Sequence, residues 1–532
     1  MEASGLLITN GRIVDTVRRT VEPAAVAVVH GRILDVGDAA RLRSMMPVGA
    51  RTVDVGGRVL TPGFVDGHVH LLGLGLRLLG DRLDLTRTRS LAEVLELIDR
   101  HTGTLPPGEW VRGGGWDSNT WPERRRPRAS DLDGHADGRP VALTSRCGHS
   151  MWVSHSVLRL LGITAETPDP PGGVIGRRSD GSPDGMLYEN AIELVHGSRP
   201  EMSVGRRKEA LLAAIALGQS LGLVGCHNCE GPEALGPLLE LQREDRLRFR
   251  VTQHIPEEQL DLARGIALGS GLGGQWLRIG SLKVYADGSL GARTAAMLEP
   301  FAGETHTGVL ERHADAIEGL ARRAAEAGLP LAVHAIGDRA VREVLDGIER
   351  AGVTVTSTPH RIEHAQHVHP DDLHRMARLG VVASVQPVHL REDASIVQSR
   401  LPDRADQAFT FASMTERGIR LCMGSDAPVE SFDPLEGLRA AVLRRDRMGR
   451  WPDGWHPHEA IGVFEAIDGY TRGAAVAAGV RTGEGRIAPG CRADLVALSH
   501  DIVADPEALE ACRVDLTVIG GTPMHDPLGL AV

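Results

Sequence analysis

Both ends of the chain alternate apolar and polar residues in the way that is typical of β-strands. The first 60 residues contain LLITNGRIVD, AVAVVHGRILDVG and RTVDVGGRVLTPG, with Asn-Gly, His-Gly and Gly-Gly pairs that indicate tight turns. GEGRIAPGCRADLVALS and VDLTVIGGTPMHD show the same alternation near the other end. We therefore expect residues 1–60 and 481–532 to form one small β-sandwich domain.

The central part of the chain changes to a helical period followed by short apolar runs. This pattern begins near residue 200 with RRKEALLAAIALGQSLGLVGC and recurs in AIEGLARRAAEAGLPLAVHAIGD and DDLHRMARLGVVASVQP. Repeated helix-then-strand units predict a parallel sheet, and their number favours a closed barrel over an open sheet. The predicted fold is α/β, with a TIM-like (β/α)₈ barrel over residues 61–480 and a less regular insertion at about 75–200.

Composition and charge restrict the classes of partner. The 532 residues carry a formal net charge of −11, and like charges do not run beyond ERRR at 123–126, which disfavours nucleic acid or an anionic membrane. The beginning lacks a basic segment followed by an apolar one, and no run reaches the roughly 18 apolar residues of a membrane span. We expect a cytoplasmic protein with a small-molecule substrate; a homo-oligomer stays open.

The six cysteines are too few for a disulfide framework in so long a chain. Cys226 and Cys229 form the one close pair, in GCHNCEG, which could be a redox motif or half of a zinc site. A second pair that would complete four zinc ligands is missing from the sequence. Because the segment continues the strand-like LGLVG, a structural loop at the end of a strand is the favoured interpretation.

Candidate metal ligands begin with FVDGHVH and LKVYADGS. His68 and His70 point to the same side of an extended segment, since side chains alternate with period two, so both imidazoles can reach one ion. Lys283 is one of a handful of lysines in a chain that otherwise uses arginine. A neutral lysine amine can take up CO₂, and the resulting carbamate has two oxygens that can bridge two metals.

Three further strand ends supply donors: LAVHAIGD contains His334, RIEHAQ contains His364, and MGSDAPV contains Asp426. Taken alone, each has an ordinary structural interpretation, but active-site groups of a barrel lie at the carboxyl ends of its strands. Six donors exceed one tetrahedral zinc, which favours two metals about 3.5 to 4 Å apart. Alternation predicts that Glu363 faces away from His364 and has a structural task, and the same holds for His227.

The motifs TPGFVDGHVHL, LKVYADGSLGARTAAM, LAVHAIGDRAV, HRIEHAQ and GSDAPV resemble the amidohydrolase superfamily, and within it the amidohydrolase-3 group that contains N-substituted formamide deformylases. The likeness covers nearly the whole chain. It implies that His68 and His70 hold the more buried metal with Asp426 near it. It also implies that carboxylated Lys283 bridges to a second metal, which is bound by His334 and His364.

The resemblance further implies zinc as the most common metal, although mixed nitrogen and oxygen ligands also suit manganese, iron or nickel. A metal-activated hydroxide needs no protein nucleophile. Asp426 is then the predicted general acid/base, which passes a proton to the leaving amine. His149, in SRCGHSMW, is where family members carry a similar Gly-His, so it is a candidate donor to the oxyanion; a packed turn histidine is the alternative.

Candidate substrate-binding residues are Asp287, Arg293 and Trp116. Asp287 and Arg293 match the family motif and would orient the carbamate or a substrate loop, or would pair with each other. Trp116, with Trp121, would form the wall of an apolar pocket or anchor the insertion by packing.

The predicted function is that of a metal-dependent amidohydrolase that cleaves a non-peptide C–N bond, with an N-substituted formamide as one candidate substrate. A cyclic amide, a carbamate or a heterocycle at the same metals is the alternative substrate class. An inactive relative that serves as a scaffold is the alternative from another class, and the presence of all six donors argues against it.

Overall fold

The computed structural model describes residues 5–80, 82–105, 108–196, 202–353, 358–480 and 484–531. The chain divides into two compact units. Unit 1 comprises Met1–Leu71, Ala214–Asp287 and Ala296–Val532, and unit 2 comprises Leu72–Ala213 and Gly288–Ala295. The predicted end of the insertion, near residue 200, and the predicted end of the barrel, at 480–481, fall next to residues 197–201 and 481–483. These residues lie outside the described part of the chain.

The strands alternate along most of the described chain with helices or short turns. They are β1 Gly5–Asp15, β2 Thr20–Val29, β3 Arg32–Gly37, β4 Arg51–Asp54, β5 Val59–Pro62, β6 Phe64–Val69, β7 Leu83–Asp84, β8 Val111–Trp116, β9 Val141–Ser145, β10 Ser150–Val153, β11 Gly173–Arg177, β12 Pro183–Glu189, β13 Leu223–Asn228, β14 Arg250–Pro256, β15 Leu277–Tyr285, β16 Leu331–Ala335, β17 Arg361–His364, β18 Val382–Val385, β19 Leu421–Met423, β20 Leu495–Leu498, β21 Val514–Ile519 and β22 Thr522–His525.

The α-helices begin in some cases at side-chain caps: the Ser90 side chain accepts the Glu93 N–H, and Asp433 accepts that of Leu435. They are α1 Ala39–Met45, α2 Leu71–Leu78, α3 Leu91–Thr102, α4 His155–Leu160, α5 Glu193–His196, α6 Val204–Ser220, α7 Pro232–Arg243, α8 Leu260–Gly265, α9 Ala314–Glu326, α10 Asp338–Ala351, α11 Pro370–Leu379, α12 Leu390–Arg400, α13 Phe411–Glu416, α14 Pro434–Leu443, α15 Val463–Asp468 and α16 Ala474–Ala477. In the described part of the chain, none of the helices combines the length and apolarity that crossing a membrane requires.

Unit 1 contains a nearly closed barrel of eight parallel strands in the order β6, β13, β14, β15, β16, β17, β18, β19. The first and last strands meet at their carboxyl ends, where Asp426 N–H donates to the His68 carbonyl at 2.7 Å and His70 N–H to that of Ala427 at 2.8 Å. Gly67 permits this approach, since a Cβ there would lie 2.8 Å from the Met423 carbonyl oxygen. The predicted TIM-type barrel is confirmed.

The two ends of the chain form a separate sheet within unit 1. Its order is β22, β21, β20, β5, β1, β2, β3, with β4 also paired to β1, so hydrogen bonds join strands of both ends into one sheet. The first half of β1 pairs with β4 and its second half with β5. Leu6 and Val26 from the first end share one buried core with Leu495 and Leu516 from the other.

Unit 2 is a mixed sheet with its own core, in the order β11, β12, β10, β9, β8, β7. The strands β7, β8 and β9 run parallel, and the other pairs are antiparallel. Its core includes Trp116, whose ring lies 6.0 Å from that of Trp121 and 6.3 Å from that of Trp152. The stretch that is irregular in sequence is therefore a packed α/β unit.

Candidate metal centre

Three of the predicted donors meet where β6 and β19 end. Asp426 Oδ1 lies 3.4 Å from His68 Nε2 and 3.3 Å from His70 Nε2. One ligand atom from each of these residues lies within 4.8 Å of the others. His68 and Asp426 are buried, whereas the His70 side chain is 30% exposed. Two imidazoles and a carboxylate at this spacing suit a divalent metal ion.

The histidines that end β16 and β17 extend this cluster. The His364 ring centre lies 5.0 Å from that of His68 and 4.4 Å from that of His334, and both His334 and His364 are buried. Burial lowers the pKa of His364 well below its usual value, and the charges of His68 and Lys283 add to the effect. A neutral imidazole is the form that binds a metal.

Lys283, near the carboxyl end of β15, is the last of the six predicted donors. Its Nζ lies 4.3 Å from the ring centre of Tyr285, and that ring lies 5.4 Å from His334. The side chain is buried, and its Nζ has no hydrogen-bond partner among the described residues. A buried amine without a partner is costly, and conversion to a metal-bound carbamate would remove that cost. The chemistry of the donors therefore fits a divalent metal site.

A buried carboxylate supports the first ligand from behind. Glu363 Oε2 lies 2.6 Å from His68 Nδ1, and Glu363 pairs with Arg361 at 2.5 and 3.0 Å. Burial raises the pKa of Glu363, but Arg361 and His68 outweigh it and hold that pKa well below its usual value. A carboxylate that binds the second ring nitrogen of a metal-binding histidine fixes its orientation. Arg361 Nη1 also lies 2.7 Å from His227 Nδ1, so His227 supports this network.

The expectation that alternation turns Glu363 away from the site is wrong. His364 has φ 72°, so the extended geometry ends before it, and Glu363 and His364 both contribute to the centre. Asp426 has φ 61° and Ala365 has φ 41°. Left-handed backbone at residues other than glycine costs about 1 to 3 kcal/mol each and is concentrated at functional sites.

Two members of the cluster were not anticipated from the sequence. His389 Nε2 lies 3.6 Å from Asp426 Oδ2, and its ring centre lies 6.1 Å from that of His364. It follows β18 in SVQPVHL, so the strand-end rule applied to this strand would have found it. Asp66 accepts the N–H groups of His68 at 2.9 Å and Ser425 at 3.1 Å, and burial raises its pKa to about 7.

Asp287 contacts the backbone beside the centre. Its carboxylate accepts the N–H groups of Ala296, Ile336 and Gly337 at 2.8 to 3.0 Å, and Oδ1 lies 3.7 Å from His334 Nε2. Asp287 therefore fixes the loop that follows β16. Arg293 belongs to unit 2, where it adopts φ 62°. The substrate contacts of both residues stay predictions.

The remaining predicted residues lie in unit 2. His149 Nδ1 lies 2.7 Å from Glu189 Oε2, and the His149 side chain keeps 16% of its exposure. Trp116 is only 4% exposed, and its indole N–H donates to the Leu143 carbonyl at 2.8 Å. Of the two interpretations, this burial favours the packing anchor, because Trp116, like Trp121, packs inside the core of unit 2.

The Cys226 and Cys229 pair has the structural role that was favoured. Both thiols are buried and neither forms a disulfide. Burial raises the pKa of each thiol, and redox or metal-binding cysteines need the opposite shift.

The sequence matches the Amidohydrolase family model over residues 51–525, which contain every barrel strand and all six donors. The chain belongs to the amidohydrolase family. This amidohydrolase is 34% identical over 513 residues to a Bacillus subtilis (strain 168) protein named "Putative amidohydrolase YtcJ", with 94% of this chain and 96% of that protein covered. It is 30% identical to the N-substituted formamide deformylase of Arthrobacter pascens, with 94% of each chain covered.

A solved structure is also similar to this amidohydrolase. The crystal structure of an uncharacterized metal-dependent hydrolase from Pyrococcus furiosus has 30% identity and a TM-score of 0.74, and the match covers 94% of this chain and 100% of that one. These likenesses confirm the resemblance that the motifs indicated. The protein is a metal-dependent hydrolase that acts on carbon–nitrogen bonds.

Proposed function

We propose that this amidohydrolase cleaves the C–N bond of a small non-peptide amide, with an N-substituted formamide as the first candidate, at two zinc ions bridged by carboxylated Lys283. One observation carries the proposal: the buried Nζ of Lys283 has no hydrogen-bond partner among the described residues, and it lies 4.3 Å from the ring of Tyr285, which in turn contacts His334. The relative from Arthrobacter pascens, which is named for formamide deformylation, supports the choice of substrate.

The proposed ligands are His68 and His70 for one metal, His334 and His364 for the other, and Lys283 as the bridge. A divalent metal held by these ligands would supply an acidified water and a polarised amide carbonyl. The protein side chains would then supply orientation and proton transfer.

Asp426 is the proposed general acid/base. Its Oδ1 faces His68 and His70, and its Oδ2 faces His389. Burial raises its pKa, but the charges of the surrounding histidines outweigh this and hold the pKa well below the usual value. The ionised carboxylate can accept a proton from the attacking water and then donate it to the amine nitrogen, which leaves readily only when protonated.

His149 is the proposed donor to the carbonyl oxygen of the substrate. Glu189 binds its Nδ1 at 2.7 Å and so fixes the orientation of the ring. A donor held in place before the reaction stabilises the oxyanion without a reorganisation cost.

The test is a substrate panel with the purified, zinc-loaded protein. N-alkyl and N-aryl formamides should release formate and the free amine in equal amounts, and metal analysis should find close to two zinc ions per chain. Hydrolysis of cyclic amides or carbamates without any release of formate would instead assign the alternative substrate class. Absence of hydrolysis across the panel, with metal bound, would contradict the proposal.

The two lysines of the chain, Lys283 and Lys208, provide a matched test of the bridge. Lys283→Ala should lower the metal content to one ion or fewer and abolish turnover, because the bridging oxygens are lost. A short carboxylate such as propionate, added at high concentration, should restore part of both. Lys208→Ala in α6 should retain metal and activity, and equal metal contents in the two variants would exclude the carbamate.

A further inference from the structure

A second charged site lies at the amino-terminal end of the barrel in unit 1. Its cavity of about 660 Å³, the open mouth included, is lined by residues of β6, β13, β14 and β15 and by residues within 471–480 and 484–494. Arg278 lies on β15 five residues before Lys283, which is about 16 Å along an extended strand. Arg278 is therefore distant from the metal ligands, although His227, which also lines the cavity, contacts Arg361 of the network behind His68.

The lining of the cavity carries more positive than negative charge. Its charged side chains are four arginines and two carboxylates, namely Arg250, Arg278, Arg486, Arg492, Glu484 and Asp494. Two ion pairs account for part of the set: Arg250 binds Asp494 through two nitrogens at 2.6 and 2.8 Å, and Arg492 Nε lies 2.9 Å from Glu484 Oε1. Arg486 lies 3.8 Å from Asp15, which is not part of the lining.

Arg278 is the arginine of the lining that these ion pairs leave out. Its side chain forms neither an ion pair nor a hydrogen bond with the described residues, its Nε is buried, and Glu484 is the carboxylate whose charge acts on it. Burial lowers the pKa of Arg278, and burial together with the charge of Arg250 lowers that of Arg492. Guanidinium groups that are partly dehydrated and close to one another are stabilised by an anion, which their fixed N–H geometry binds through two oxygens.

We propose that this cavity binds a small phosphate-type oxyanion, with Arg278 as its principal partner. A tetrahedral oxyanion can accept from Arg278 while Arg250 and Arg492 keep their carboxylates. Because Arg278 lies about 16 Å along β15 from Lys283, an anion bound to Arg278 would not contact the metal ligands.

The test compares the metal-loaded wild-type protein with Arg278→Gln and with Arg51→Gln, which changes an exposed arginine of the same unit. Inorganic phosphate is titrated at constant ionic strength, and the Tm is measured. The wild type and Arg51→Gln should show a saturable rise in Tm. Arg278→Gln should bind phosphate at least about tenfold more weakly, since a charge-assisted bidentate contact is removed.

Two outcomes would overturn the proposal: no saturable response in the wild type, or an unchanged response in Arg278→Gln, which would place phosphate elsewhere, for example at the metals. Crystals soaked in tungstate give a second measurement that needs no variant. Anomalous density beside Arg278 supports the site, and density confined to the metal centre contradicts it.

Discussion

The two units of this amidohydrolase each contain a histidine whose Nδ1 contacts a glutamate, and the surroundings make the pairs different. His68 and Glu363, at 2.6 Å in unit 1, are both almost completely buried. His149 and Glu189, at 2.7 Å in unit 2, leave the histidine 16% exposed. The first pair lies among further candidate metal donors, where the glutamate orients His68. The second pair belongs to the proposed donor to the substrate oxyanion. The same histidine–glutamate contact can therefore serve two different roles, and the surroundings of each pair decide which role it has.

The largest expected effect is on the barrel side. Asp426→Asn removes the proposed proton acceptor but keeps the shape of the side chain, so kcat should fall by about 10³ to 10⁴. The exposed Asp315→Asn is the matched control and should leave kcat unchanged. Turnover should be measured together with metal content. If Asp426→Asn keeps a kcat within tenfold of the wild type, the proton acceptor must be sought elsewhere, His149 in unit 2 included.

The second prediction concerns acid stability of the barrel unit. His367 is fully buried, and burial, with the charge of Arg404 added, lowers its pKa to about 3. An unfolded histidine titrates near 6.5, so unfolding takes up a proton between these values. The stability due to neutral His367 is complete above pH 6.5 and falls by about 1.4 kcal/mol per pH unit as the pH drops towards 3.

His367→Phe should therefore make the free energy of unfolding less dependent on pH between 6.5 and 4. Urea denaturation at pH 7, 5 and 4 measures this, with the exposed His374→Phe as the control that should keep the wild-type slope. The same slope in both variants would show that His367 does not sense acid. In that case, burial of a histidine in unit 1 would not make its protonation count against folding, and His367 would not differ in this respect from the partly exposed His149 of unit 2.

The third prediction tests the comparison directly with Glu363→Gln and Glu189→Gln. The first should weaken zinc affinity about 10- to 100-fold, because it loosens His68. The second should retain zinc and lower kcat, because it loosens only His149. Zinc competition with a chelator and steady-state kinetics give the two readouts. An equal loss of zinc in both variants would break the distinction between the units.

The smallest effect is expected for Trp116→Phe in unit 2. The loss of the hydrogen bond to the Leu143 carbonyl should lower the free energy of unfolding by about 1 kcal/mol. KM should remain within about twofold, since Trp116 packs in the core. A large rise in KM with an unchanged free energy of unfolding would instead support the interpretation that Trp116 forms the wall of a substrate pocket.

Much of the centre could be anticipated because its signals are local. Period-two alternation puts His68 and His70 on one side of β6, and helix-then-strand repeats place Lys283, His334 and His364 at strand ends. His389 escaped notice although it obeys the same rule. Glu363 was misassigned because alternation assumes an extended backbone, and the backbone leaves that geometry at His364.

By itself, the sequence determined the parallel barrel and identified six candidate donors, because hydrophobic period and strand-end position are properties of short segments. The tertiary structure alone decided which groups touch. Glu363 reaches His68 across 295 positions of the chain because β17 and β6 belong to the same closing barrel. Packing between distant segments also decides the surroundings of three further side chains, which no local pattern encodes. They are Lys283 and Arg278, each with a buried nitrogen that lacks a hydrogen-bond partner among the described residues, and Trp116 in the core of unit 2.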